Sequence, residues 1–77
     1  MLKTPSVVTD YSQLNWQEII SGCHQATYLG MSLEVEIAFV DTWAVYDVNG
    51  DVWLEGVCYG VRDGKAQAFN ALKAEIA

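Results

Sequence analysis

Three groups of residues have the types and spacing from which chemistry could be built. Asp47, Asn49, Gly50 and Asp51 look like the opening of a calcium loop. Such a loop of about twelve residues takes ligands at positions 1, 3 and 5, Gly at 6 and an acid at 12. Counted from Asp47, Gly50 stands at 4, Val52 at 6 and Cys58 at 12, so the pattern fails and a hairpin turn explains these residues better. Cys23, His24 and Cys58 are soft ligand types, yet they lack the short paired spacings and the fourth ligand of a zinc site. A Cys23–His24 nucleophilic pair fails as well, because neighbours on a helix point about 100° apart. Glu34 and Glu36 would lie on one face of a strand, about 7 Å apart, but no other catalytic group accompanies them. With a single His and no Gly-rich phosphate loop, the chain reads as a non-enzyme without metal or cofactor.

Charge says more than any motif. Ten acids against four bases give a net −6, and between Thr4 and Val61 there is no Lys or Arg at all. Direct binding to nucleic acid or to an anionic membrane needs clustered cations, so neither is expected. A cationic protein is the natural complement. The competing reading is that the acids only keep a small apolar protein soluble. Two Cys, 23 and 58, make no disulfide framework. No apolar run has signal-peptide or transmembrane length, which sets a cytoplasmic expectation.

The elements that must position these residues follow from periodicity. A hydrophobic content of 52% over 77 residues is too apolar for a disordered tail and implies one domain, residues 1–77. Residues 1–9 read as an extended leader, since Pro5 excludes helix at Thr4. A helix is expected next, opened by a capping box at Asp10/Gln13 or Asn15/Glu18. Its apolar stripe would be Trp16, Ile19, Ile20 and Cys23, fading between Gly22 and Gln25. From Leu33 the period is two, with Leu33, Val35, Ile37 and Phe39 alternating with Glu34, Glu36 and Ala38. Asp41-Thr42 and Asn49-Gly50 separate two further strands, Trp43–Val48 and Asp51–Tyr59. Asn-Gly predicts a two-residue type I′ turn, which needs positive φ at both positions. Arg62 to Ile76 reads as a second helix, with Phe69, Leu72 and Ile76 on its apolar side. The expected class is α+β: a three-stranded antiparallel meander with an N-terminal and a C-terminal helix, order α-β-β-β-α.

The hairpin register predicts Tyr46 opposite Trp53, Val45 opposite Leu54, Ala44 opposite Glu55 and Trp43 opposite Gly56. A two-residue loop at Asp41-Thr42 places Val35, Ile37 and Phe39 on the Tyr46/Trp53 face. It places Glu34, Glu36 and Asp47 with Trp43, Val45 and Leu54; a loop longer by one residue swaps the two sets. If both helices pack on one face, an aromatic and acidic surface stays bare, the mark of a partner or homodimer interface.

The stretch from Trp43 through Asn49-Gly50-Asp51 to Gly56, followed by the Lys/Ala-rich helix Lys65–Ile76, resembles the hairpin-plus-helix ending of small phage-encoded proteins. As a short acidic α+β chain, the whole resembles phage inhibitors of bacterial defence, anti-CRISPR proteins among them. That group shares no common motif, so no residue role carries over. The resemblance implies a non-enzymatic inhibitor acting in the host cytoplasm on a basic protein or ribonucleoprotein complex of Cas effector type. The residues expected to meet that partner are Glu34, Glu36, Tyr46, Asp47 and Trp53, with Asp41, Asp51 and Glu55 beside them. A homodimer formed through the sheet is the alternative.

Overall fold

The computed structural model describes residues 8–76, so residues 1–7 of the expected leader lie outside the described residues. After a single 3-10 turn at Tyr11–Gln13 come five strands and one helix. These are β1 (Gln17–Ile20), β2 (Cys23–Tyr28), β3 (Met31–Glu36), β4 (Thr42–Tyr46), β5 (Val52–Val57) and α1 (Val61–Ile76). The strands form one sheet in the order β1-β2-β3-β4-β5, every neighbouring pair antiparallel. The expected three-stranded sheet with two helices is therefore corrected to a five-stranded sheet with one C-terminal helix.

The N-terminal helix is replaced by a hairpin, and the local chemistry shows why. Ile20 pairs with Cys23 across Ser21-Gly22, a two-residue turn in which Gly22 has φ +81°. The four-residue apolar stripe fits helical spacing, but Ile19-Ile20 is β-branched and Ser-Gly is a turn dipeptide. Gly22 also lies against the end of β3: its carbonyl accepts the Ile37 N–H at 2.7 Å. A Cβ at Gly22 would come within 2.9 Å of the Ile37 oxygen. The Asp10/Gln13 capping pair does form, with Gln13 Oε1 accepting the Asp10 N–H at 2.9 Å, but it closes only the 3-10 turn.

Two other turns exchange roles relative to expectation. Asn49-Gly50 is not a type I′ turn, because Gly50 alone there has positive φ. The Asp47 carboxylate accepts the N–H groups of Asn49 and Asp51 at 2.9 and 3.0 Å, and Gly50 N–H donates to the Asp47 carbonyl. That Asx capture builds a three-residue loop and shifts the register, so Tyr46 pairs with Val52 instead of Trp53. The other three predicted pairs, Val45–Leu54, Ala44–Glu55 and Trp43–Gly56, are present. The type I′ geometry belongs to Leu29-Gly30 between Tyr28 and Met31, with φ values of +55° and +80°.

All described core residues lie on the α1 side of the sheet. Leu33, Val35, Trp43 and Val45 meet Ala68, Phe69 and Leu72, and Cys58 closes the end. The segment before β1 adds Val8, Tyr11, Leu14 and Trp16 at the margin. Ile76, expected on this apolar side, is exposed. Gly64 lets the helix sit down: a Cβ there would fall 2.5 Å from Val35 Cγ1 and 2.9 Å from Cys58 Sγ. Gly56 likewise leaves room for the Trp43 indole, whose Nε1 donates to Gln67 Oε1 at 3.1 Å.

Two substitutions test this account. Leu29 holds a left-handed backbone with a side chain 62% exposed, so Leu29→Asn should relieve strain without losing packing. A gain of about 1 kcal/mol in chemical denaturation is expected. Gly64→Ala should run against helix propensity. The roughly 1 kcal/mol that Ala gains in a free helix is outweighed by about 1–3 kcal/mol of overpacking, so denaturation should show a net loss.

Candidate functional site

The sheet has a second face that no described element covers. Between β3 and β4 the chain loops through residues 37–41, with Glu36 opposite Thr42 and Val35 opposite Trp43. This is the swapped assignment: Val35 joins Trp43 and Val45 under the helix, while Glu34 and Glu36 turn to the uncovered side. Phe39, expected on the strand, stands fully exposed in that loop.

Cross-strand register then builds the uncovered face in rows. Gln17, Gln25, Glu34, Ala44 and Glu55 are successive partners across all five strands. Cys23, Glu36, Thr42 and Val57 form the next row, and Thr27, Ser32 and Tyr46 lie on the other side of the first. Two strand spacings separate Glu34 from Glu55, about 10 Å, with the small Ala44 as the floor between them. A groove of about 490 Å³ runs from Gln25 and Glu34 past Tyr46 to the Asp47–Gly50 turn.

The carboxylates here differ in what holds them. Glu34 Oε2 accepts from Gln25 Nε2 at 3.1 Å, and the same nitrogen reaches Ser32 Oγ at 3.0 Å. The Cys23 thiol approaches Glu34 Oε1 at 3.9 Å. Glu36 and Glu55 are exposed. Burial, then Glu34 and Cys23, then Glu36 and Glu55, push the Tyr46 hydroxyl above its ordinary range. Burial and the charges of Glu34 and Glu36 likewise push the Cys23 thiol up. Cys58 is raised by burial, Asp41 and Asp63.

Of the expected partner-binding residues, Glu34, Glu36, Tyr46 and Glu55 converge on this face. Trp53 lies on β5 beside the register shift, 39% exposed and outside the buried core. Asp41 and Asp47 are building material. Asp41 accepts the N–H groups of Ala38 and Gly60 at 3.3 and 3.0 Å, and Asp47 closes the hairpin turn that carries exposed Asp51. Gln25 and Ser32 are not among the expected residues: Gln25 stands on β2, where a fading helix is expected, and Ser32 stands on β3 just before the alternation that starts at Leu33.

The arrangement does not activate a nucleophile. Cys23 and His24 are consecutive on β2 and so point to opposite faces, and burial together with the acids around Cys23 raises its pKa, the opposite of activation. His24 instead faces Glu18 across the strand pair, Nε2 to Oε2 at 4.0 Å. Among the described residues no group of three or more His, Cys, Asp and Glu is placed to hold a metal. No described helix is long and apolar enough to cross a membrane. Comparison with protein-family models, curated proteins and solved structures found no match for this chain.

The thiol reports directly on this field. Glu34→Gln removes a negative neighbour and should lower the Cys23 pKa, raising the thiolate fraction near pH 8. Alkylation of Cys23 by iodoacetamide, followed by mass spectrometry, should accelerate roughly two- to fivefold. An unchanged rate would show that Glu34 does not act on Cys23.

Proposed function

We propose that this protein is a non-enzymatic binding inhibitor. It docks its uncovered acidic sheet face on the basic, nucleic-acid-contacting surface of a protein or ribonucleoprotein complex, in the manner of phage anti-CRISPR proteins. The observation that carries this reading is the convergence of Glu34, Glu36 and Glu55 around Tyr46 on a face left bare by the only described helix. Arg62, Lys65 and Lys73 all belong to α1, and Lys65 and Lys73 lie over the rings of Trp16 and Phe69. With Asp63 and Glu75 also on α1 the helix is close to neutral, whereas residues 17–57 carry seven acids and no Lys or Arg, so the molecule is polarised with its negative charge on the sheet and its turns.

Such a face meets a cationic groove as the phosphates of a nucleic acid would, and an aromatic group among acids supplies contact area. Face-to-face pairing of two copies is disfavoured by the same charges, since each copy would present the same three carboxylates to the other.

The test is competition. The protein should displace a fluorescent single-stranded DNA from a Cas effector complex, and its apparent affinity should fall steeply as salt rises from about 50 to 500 mM. With exposed charges worth about 0.2–1 kcal/mol each, the E34Q/E36Q/E55Q variant should bind roughly tenfold more weakly and show a flatter salt response. Affinity indifferent to both salt and these substitutions would overturn the reading.

A further inference from the structure

We infer that the outer edge of β5 is a strand-addition site, which takes an extended basic segment of the partner as a sixth strand. The inference rests on the reading that the partner is cationic, and it specifies how that partner is held.

The edge can be read from one hydrogen bond. Cys58 N–H donates to the Asp41 carbonyl at 2.9 Å, so the Cys58 backbone faces β4. Alternate residues of an antiparallel strand turn their backbone groups the same way. Leu54 and Gly56 therefore also face β4, while Glu55 and Val57 present N–H and C=O outward from the end of the sheet.

Natural edges are usually blunted by Pro, Lys, irregular pairing or cover. The other edge, β1, is blunted: it has four residues and an irregular register between Glu18 and Ile20. The Glu18 carboxylate folds back to accept the Gly22 N–H at 2.9 Å. Leu54–Val57 has neither Pro nor Lys, and the irregular pairing of β5 lies at its other end. At its end, Val57, Tyr59 and Phe39, which are 59%, 88% and fully exposed, help line a cleft of about 420 Å³ between the β3–β4 loop and the end of β5. Backbone groups for pairing and an apolar cleft beside them are the two parts of strand addition: the first gives affinity, the second specificity.

Charge selects the occupant. A residue paired opposite Glu55 shares the uncovered face with Glu55, and Glu34 lies two strands further on. Lys or Arg at that position is stabilised, whereas a like charge directly opposite is destabilising. A second copy of β5 would bring another Glu55, another Asp51 and another −6 of net charge to the seam. An extended segment alternating basic and apolar residues fits the edge, its basic side chains toward Glu55.

The probe is a ten-residue peptide alternating Lys and Val, tested beside the same peptide N-methylated at the amides that would pair. Titration to millimolar concentration is followed by two-dimensional NMR and amide hydrogen exchange. The peptide should slow exchange of the Glu55 and Val57 N–H groups at least tenfold and leave Leu54 and Gly56 unchanged. N-methylation should remove that protection, and so should Val57→Pro, which deletes an outward donor without touching the β4–β5 ladder. If Val57→Pro fails to fold, the N-methylated peptide on the natural protein decides alone. Salt-dependent binding of both peptides without protection at Glu55 and Val57 would overturn the edge site while leaving the acidic face as the docking surface. Absence of any binding, together with an unaltered E34Q/E36Q/E55Q variant in the competition test, would overturn both. Protection of these amides without peptide, in step with a concentration-dependent dimer in sedimentation, would show that a second copy holds the edge and overturn the inference.

Discussion

A single helix has one apolar side, and here that side must serve a sheet of five strands. α1 settles over β3, β4 and β5, and Gly64 allows the approach by leaving no Cβ to collide with Val35 and Cys58. The contact is held by polar groups as well as apolar ones. Trp43 Nε1 donates to Gln67 Oε1, Gln67 Nε2 donates to Asp63 Oδ2, and that carboxylate oxygen also accepts the Tyr59 N–H. The chain thus ties the centre of β4 to the start of the helix, leaving no element among the described residues for the other face. Everything proposed about function follows from that shortage of cover.

The acids sort into two kinds once their partners are known. Asp41, Asp47 and Asp63 have carboxylates that accept backbone N–H groups where the chain must reverse or enter the helix, so they shape loops. Glu34, Glu36 and Glu55 have no such duty to the backbone and are arrayed by strand register. The net charge of −6 sums over both populations. The excess of negative charge is real, but only part of it is displayed where a partner would find it.

How much was legible depends on how local the deciding chemistry is. The last helix and three pairs of the β4–β5 ladder were readable, because Ala-rich sequence and Trp43 opposite Gly56 act over short range. The β1–β2 hairpin was not, because Trp16, Ile19, Ile20 and Cys23 satisfy helical spacing over eight residues, too short a window to separate the two periods. Ser21-Gly22 was the signal to the contrary. The loop between β3 and β4 hid the facing of Glu34 and Glu36. Its length is fixed by Asp41, whose carbonyl and carboxylate bind Cys58, Gly60 and Ala38, partners that are distant or not predictable from pattern alone. Asn49-Gly50 misled for a related reason, since Asp47 captures the turn before Asn49 can adopt positive φ.

Whether such acidity is only solubilising can be argued from order. Charge that merely keeps a protein apart from its copies works equally well on flexible side chains anywhere on the surface. Glu34 is not of that kind. Its two oxygens engage Gln25 and Cys23, and it is half-buried between strands instead of extended into water. Together with burial, its charge and that of Glu36 hold the protons of Tyr46 and Cys23, and Glu55 adds to the hold on Tyr46. A fixed carboxylate above a small Ala44 floor loses little further freedom when a cation arrives, and in binding it is the freedom lost that erodes affinity. Solubility does not require that order; recognition of a basic surface benefits from it.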